Sequence, residues 1–138
     1  MAALPVVKAF LVADGVIQDR GTGKWSVIGI FDQIYAAAFP CFHPIVAIYV
    51  KLSDALGRYK VRVEFRDADD GIASVFEGIE FEITDRTKAV EFGVTTQHLP
   101  LKKAGRYQFQ LYLNGEYAAA ATLDVMQVKS QPPAPPPA

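Results

Sequence analysis

Four groups of residues in this chain are of types that can do chemistry, and spacing decides what each is worth. Gly21-Thr22-Gly23-Lys24 has the look of half a phosphate loop. A complete one reads G-x-x-x-x-G-K-[ST] and leads from a buried strand into a helix whose N-terminus holds the phosphates. Here Lys24 is followed by Trp25, no Ser or Thr is placed for magnesium, and an apolar strand pattern comes next. A tight turn between two strands is the expectation for GTGK.

Asp67, Asp69 and Asp70 in DADDG supply carboxylates from one loop, as calcium prefers. No bidentate Glu follows at the usual distance, and Asp side chains before Gly71 suit a plain turn equally well. They stand as the one weak metal candidate, so no metal is assigned. His43 and His98 are the only histidines, and zinc wants three or four ligands. Cys41 lies two residues before His43, which on an extended segment puts both on one face. Neither an oxyanion loop nor an orienting acid accompanies them, so no catalytic residue is assigned and the chain is not expected to be an enzyme. No cofactor is expected either.

The basic row Arg58, Lys60, Arg62 and Arg66 is the fourth group. Sheets that bind nucleic acid interleave exposed aromatics with such cations, and here Tyr59 and Phe65 alternate to the opposite face. Fourteen basic against fifteen acidic residues leave a net charge of −1, so no global field draws the chain to polyanions. The expected partner is therefore protein, another copy of the chain in the first place, and neither nucleic acid nor membrane.

The elements that must position these groups are strands. Arg58–Arg66 alternates strictly, and Ser74–Ile83 returns with Ile79, Phe81 and Ile83 against Glu80 and Glu82. A hairpin centred on residue 70 sets Lys60 opposite Glu80 and Arg58 opposite Glu82. The same register would bury Glu77 opposite Val63, so a bulge is expected near Gly78. Asn114-Gly115 is a type I′ hairpin signal. Leu followed by a loop and Gly105-Arg106-Tyr107 resembles the tyrosine corner of immunoglobulin-like sandwiches. The expected fold is all-β, a two-sheet antiparallel β-sandwich of immunoglobulin-like type with about 8–9 strands.

One domain over 1–128 and a proline-rich extended tail over 129–138, ending PPAPPPA, complete the organisation. The N-terminus reads as a first strand and not as a signal peptide, and no apolar run reaches the roughly 18 residues of a membrane helix. A single cysteine excludes an intrachain disulfide, which with these features points to the cytoplasm.

The N-terminal half carries an apolar surplus. Val6–Ala13, Trp25–Phe31 and Ile45–Leu52 are apolar at both parities, whereas an antiparallel sandwich wets one face of each strand. Two covers are open: the connection Tyr35–Phe42, or another protein molecule. In the second case Phe10, Val12, Ile28, Ile30, Phe39, Phe42 and Tyr49 form the interface.

The run VIQDRGTGKWSVIGIFDQIYAAAFPCFHP, with VAIYVKLSD and GRYQFQLYLNGE, resembles a family of small bacterial domains of unknown function. A GTGK-x-S-x-IGIFD-x-I segment and a closing GxYxFxLYxNG hairpin recur in its members. The resemblance covers about residues 5–126 and implies a soluble β-sandwich of bacterial origin, with no established activity and no catalytic residues to carry over. The functional expectation is a non-enzymatic interaction or structural module that self-associates through its apolar N-terminal strands. The alternative is a ligand- or calcium-binding sandwich.

Overall fold

The computed structural model describes residues 4–129, so the expected proline-rich tail lies outside the described residues apart from Lys129. Nine strands follow one another: β1 Val6–Gln18, β2 Trp25–Ile30, β3 Gln33–Ala36, β4 Cys41–Ser53, β5 Gly57–Arg66, β6 Ile72–Ile83, β7 Val90–Leu101, β8 Gly105–Leu113 and β9 Glu116–Gln127. They form a four-stranded sheet in the order β2-β1-β4-β7 and a five-stranded sheet in the order β3-β9-β8-β5-β6. The fold is thus the expected β-sandwich. One pair departs from antiparallel order: β3, a short strand the alternation did not reveal, runs parallel to β9.

The core lies between the sheets. Val46, Ile48, Val50 and Leu52 of β4 meet Tyr59, Val61, Val63 and Phe65 of β5 and Tyr107, Phe109, Leu111 and Leu113 of β8. Phe65 stacks on Tyr107 at 5.2 Å between ring centroids and tilts against Phe109 at 4.6 Å. Each such side chain, fully buried, contributes about 1.5–3 kcal/mol.

Local chemistry sets the turns. In GTGK, the Asp19 N–H donates to the Lys24 carbonyl at 2.8 Å and the Gly23 N–H to the Asp19 carbonyl at 2.7 Å. Gly23 takes the positive φ of 74° that a side chain would resist. Asn114 and Gly115 both have positive φ, as a type I′ turn requires. The Asn114 side chain also accepts from the Lys60 N–H and donates to the Arg58 carbonyl, stitching this turn to β5.

Two tyrosines pin the five-stranded sheet at opposite ends. The Tyr107 hydroxyl donates to the Lys103 carbonyl at 2.7 Å and accepts from its N–H, which is the expected tyrosine corner. The Tyr59 hydroxyl does the same to Leu56, at 3.0 Å in each direction. The two share the sequence Gly-Arg-Tyr, Gly57-Arg58-Tyr59 and Gly105-Arg106-Tyr107, a repeat that alternation alone does not bring out.

The apolar surplus finds a cover inside the molecule, though not the connection Tyr35–Phe42. Pairing of β1 with β4 ends at Ala13↔Ala47, both fully buried, while pairing of β1 with β2 continues to Gln18↔Trp25. The free part of this hairpin lies over the outer face of its own sheet. Trp25 packs on Tyr49 at 6.1 Å, and a Cβ added to Gly93, the cross-strand partner of Tyr49, would stand 2.6 Å from Val16 Cγ2 and 3.0 Å from the Trp25 ring. Gly93→Ala is therefore expected to lift the hairpin, costing about 1–3 kcal/mol. Denaturant unfolding measures the loss, and emission from Trp25, the only tryptophan, should shift to the red. Unchanged emission and stability would show that the hairpin does not rest there.

Candidate functional site

The seven expected interface residues divide. Val12 and Tyr49 are buried, while Phe10 and Phe39 are half-buried against the core. Val12, Phe10 and Phe39 belong to the core between the sheets, and only Tyr49 lies on the outer face that the hairpin covers. The Tyr49 hydroxyl donates to Glu91, and burial first, then that bond, pushes its pKa up to about 12. Ile28, Ile30 and Phe42 are at the surface, 50%, 62% and 66% exposed.

Ile28 and Ile30 belong to a row. The β1–β2 register places Ile17 beside Ser26, Gly15 beside Ile28 and Ala13 beside Ile30, so Ile17, Ile28 and Ile30 share one side of the hairpin. Ile17 is 54% exposed and was not among the expected interface residues. Val16, Val27 and Trp25 share the other side, the one turned to Tyr49 and Gly93. Beyond β2 the sheet has no further strand among the described residues.

A second site lies in the seam between the sheets. Among the described residues β3 has one partner, β9, and β4 before Ala47 is not paired with β1. A cavity of about 280 Å³ between these edges is lined by Tyr35, Ala36–Ala38, Cys41 and Phe42, with Ile34, His43, Pro44 and Leu101. A more open one of about 500 Å³ continues it past His43 and Pro44 to Asp14, Phe31 and Gln33.

The β4–β7 register runs from Cys41↔Leu101 to Leu52↔Val90 and skips only Pro44 opposite His98. Pro44 has no N–H to give, and His98 has a φ of 56°. Across this point the inward parity changes: Phe92 and Val90 face the core at even positions, Leu99 and Leu101 at odd ones. That inversion turns Phe42 to solvent against His98, and alternation read from sequence cannot reveal it.

Cys41 and His43 both line the seam, and Asp14 lies at its open end. None of the described hydrogen bonds joins His43 to either. Its ring packs on Phe31 at 5.7 Å, and burial holds its pKa below the ordinary 6.5, with Asp14 pulling the other way. Among the described residues no three His, Cys, Asp or Glu side chains group to hold a metal ion. Asp67 accepts from the N–H groups of Asp69 and Gly71, which with Gly71 first keeps its carboxyl below the usual range; Asp69 pairs with Lys103. Of the three carboxylates, that of Asp67 is engaged in the turn and that of Asp69 in the pair with Lys103.

The basic row is paired, as its register predicts: Arg58 with Glu82 at 3.0 Å and Lys60 with Glu80 at 3.8 Å. These solvated pairs contribute little. The bulge falls at Gly78, φ 105°, where Val63 comes to face Phe76 and Glu77 swings out to Arg62. Glu64 is the one buried charge among the described residues, clamped by Arg62 at 2.8 Å and Arg66 at 2.6 Å. Burial pushes its pKa up, but the two guanidinium bonds outweigh it and leave the group below its ordinary 4.5.

This architecture defines a class, the two-sheet β-sandwich with immunoglobulin-like tyrosine corners. The chain belongs to DUF6941, a family of unknown function, whose profile matches residues 8–126. No curated protein matches it. Among solved structures it is similar to the alkylpurine DNA glycosylase AlkC of Pseudomonas fluorescens bound to DNA containing an abasic site analogue. The TM-score is 0.60 at 13% identity, over 90% of this chain and 31% of the glycosylase chain. The chain thus spans about a third of that protein, and what the likeness shows is the fold. It also corrects the exclusion of nucleic acid as a partner, since the same sandwich occurs in a protein bound to DNA. The physical reason is that net charge is a global quantity, whereas phosphate contacts need only a few local cations. No helix among the described residues is long and apolar enough to cross a membrane.

Two pH effects follow with opposite origins. Because the folded His43 resists protonation, the unfolded chain takes the proton first, and stability falls as pH drops below about 6.5. Glu64 has a depressed pKa, so its contribution is complete above about 4.5 and is lost on further acidification. An NMR titration should place the His43 midpoint below 6.5, and Asp14→Asn should lower it further. Glu64→Gln should cost about 1–3 kcal/mol at neutral pH, since Arg62 and Arg66 lose a charged acceptor. A His43 midpoint above 6.5 would contradict the burial argument.

Proposed function

We propose that this protein is a non-enzymatic interaction module that self-associates through the outer side of its β1–β2 hairpin. The observation that carries the reading is that the hairpin is apolar on both sides. One side is spent on Tyr49 and Gly93; the other presents Ile17, Ile28 and Ile30 beside the unpaired edge of β2. An uncharged edge strand with an apolar face is a template for another strand or sheet. Two copies meeting there would bury the same row on each, as a two-fold contact requires.

A second reading, nucleic-acid binding, is favoured by the likeness to a glycosylase solved with DNA. In this chain Arg20 and Lys24, exposed on the β1–β2 turn and outside every ion pair among the described residues, are the cations to test. Salt dependence separates this from apolar docking, because each phosphate contact steepens the loss of affinity with salt.

Light scattering after size exclusion should give a multiple of the chain mass at high micromolar concentration. The Ile28→Lys, Ile30→Lys double variant should give a single chain with an unchanged melting temperature. A monomeric parent chain at that concentration sinks self-association. Fluorescence anisotropy with a labelled duplex at low salt, on the parent and on Arg20→Glu, Lys24→Glu, decides the second reading.

A further inference from the structure

We infer that charge at the two ends of the β1–β2 hairpin face decides how a second copy docks on it: antiparallel, about a two-fold axis at Ile28, with Lys24 of each chain meeting Asp32 of the other. The inference rests on the self-association reading and adds to it the orientation of the contact and the residues that choose the partner.

The apolar row is bounded by opposite charges. Lys24 continues the β1–β2 ladder, its carbonyl accepting from the Asp19 N–H at 2.8 Å. Alternation therefore sets Lys24 on the side of Ser26 and Ile28, opposite to Trp25 and Val27. At the other end of β2, Phe31 packs on the His43 ring and Asp32 follows it, exposed. Ile28 lies midway between Lys24 and Asp32 in the sequence. Among the described residues neither charged side chain enters an ion pair. Lys24 serves the turn, and Asp32 the junction to β3, through backbone groups.

The remaining charges of the hairpin are placed elsewhere. Asp19 accepts from the Thr22 hydroxyl and from N–H groups inside the turn. The Asp14 carboxylate lies against Gly29, where it leaves no room for a Cβ. Arg20 adds a second exposed cation beside the turn. The face is thus basic at its turn and acidic at its root.

Ile17, Ile28 and Ile30 supply apolar area but no sense of direction. Two copies laid parallel would set Lys24 against Lys24 and Asp32 against Asp32. Laid antiparallel about Ile28, they set each Lys24 on an Asp32 while the two Ile28 side chains meet. Ion pairs at a solvated rim add little affinity, whereas like charges in juxtaposition are penalised. The isoleucines therefore supply the binding, and Lys24 and Asp32 select the orientation.

Sedimentation equilibrium on the full chain, at high micromolar concentration and low salt, compares the parent with Lys24→Asp, Asp32→Lys and the variant carrying both. The changes are at exposed side chains, so melting temperatures should stay at the parent value. Each single variant puts like charges together at both ends of the contact, and its dimer dissociation constant should rise about tenfold or more. The double variant exchanges the partners and should dimerise as the parent does. Mixed in equal amounts, the two single variants should form a heterodimer, since each then meets the opposite charge at both ends. Salt at about 1 M should erase these differences. A parent chain that stays single defeats the self-association reading and this inference with it. A parent that dimerises, and loses the dimer on Ile28→Lys, Ile30→Lys, while the single charge variants dimerise unchanged, overturns the charge-set orientation alone. So do assemblies larger than two, which a head-to-tail contact would build.

Discussion

The constraint on which the rest of the structure depends is that β4 is buried on both sides. From Val46 to Val50 every residue is buried, Val46, Ile48 and Val50 against the five-stranded sheet, Ala47 and Tyr49 on the opposite side. An antiparallel sandwich leaves that opposite side wet unless something is laid over it. Here the cover comes from the same sheet. Small residues at Ala13 and Ala47 let β1 leave its partner, and the missing side chain at Gly93 makes room for Val16 and Trp25. The cover is itself a two-stranded ribbon with two sides, so the apolar surface is moved outward by one layer and not eliminated. Ile17, Ile28 and Ile30 are what remains of it.

Much of the frame was legible because period-2 alternation is a strong signal where one face is wet. The β5–β6 pairing was legible where charges on one face fix the register, Arg58 with Glu82 and Lys60 with Glu80, and so was the bulge near Gly78; the second register shift, between Phe65 and Arg66, was not. Asn114-Gly115 and GTGK were legible because their backbone demands are local. The candidate sites were not legible, for reasons equally physical. Where both faces are apolar, alternation carries no information about which side meets the core, so Val12 and Tyr49 were grouped with Ile28 and Ile30. β3 is four residues long with mixed polarity, and nothing local announces that it crosses to the other sheet. The parity change at His98 rests on one positive φ that no residue type dictates.

Charge illustrates the difference between a sum and an arrangement. A net charge of −1 describes the chain at a distance and said nothing about where cations stand. On the five-stranded sheet the cations are consumed: Arg62 and Arg66 hold Glu64, Arg106 holds Asp124, and Arg58 and Lys60 face glutamates. That face is a closed network in which every buried polar side-chain atom among the described residues has a partner. Glu64 itself is held from both sides, by Arg62 and by Arg66. Arg20 and Lys24, outside the ion pairs among the described residues, sit instead on the β1–β2 turn, where a phosphate can approach without displacing a carboxylate.

The four sheet edges among the described residues, β2, β7, β3 and β6, differ in how they are protected. A free edge invites pairing, and natural sheets defend it with charge, proline, bulges or shortness. β6 carries Glu77, Glu80 and Glu82 with a bulge at Gly78, and β7 carries Glu91 and Pro100. Both are defended. β2 and β3 contain no charged residue and no proline: WSVIGI and QIYA. For β3, shortness is a partial defence, and the cavity beside it is aromatic on both walls. For β2, positive φ at Gly29 distorts the edge without covering Ile28 or Ile30. Among the described residues two edges are thus defended, and two apolar ones, β2 and β3, are not. GTGKWSVIGIFD, which reads first as a fragment of a nucleotide site, is in the folded protein the turn and the exposed edge of one of them.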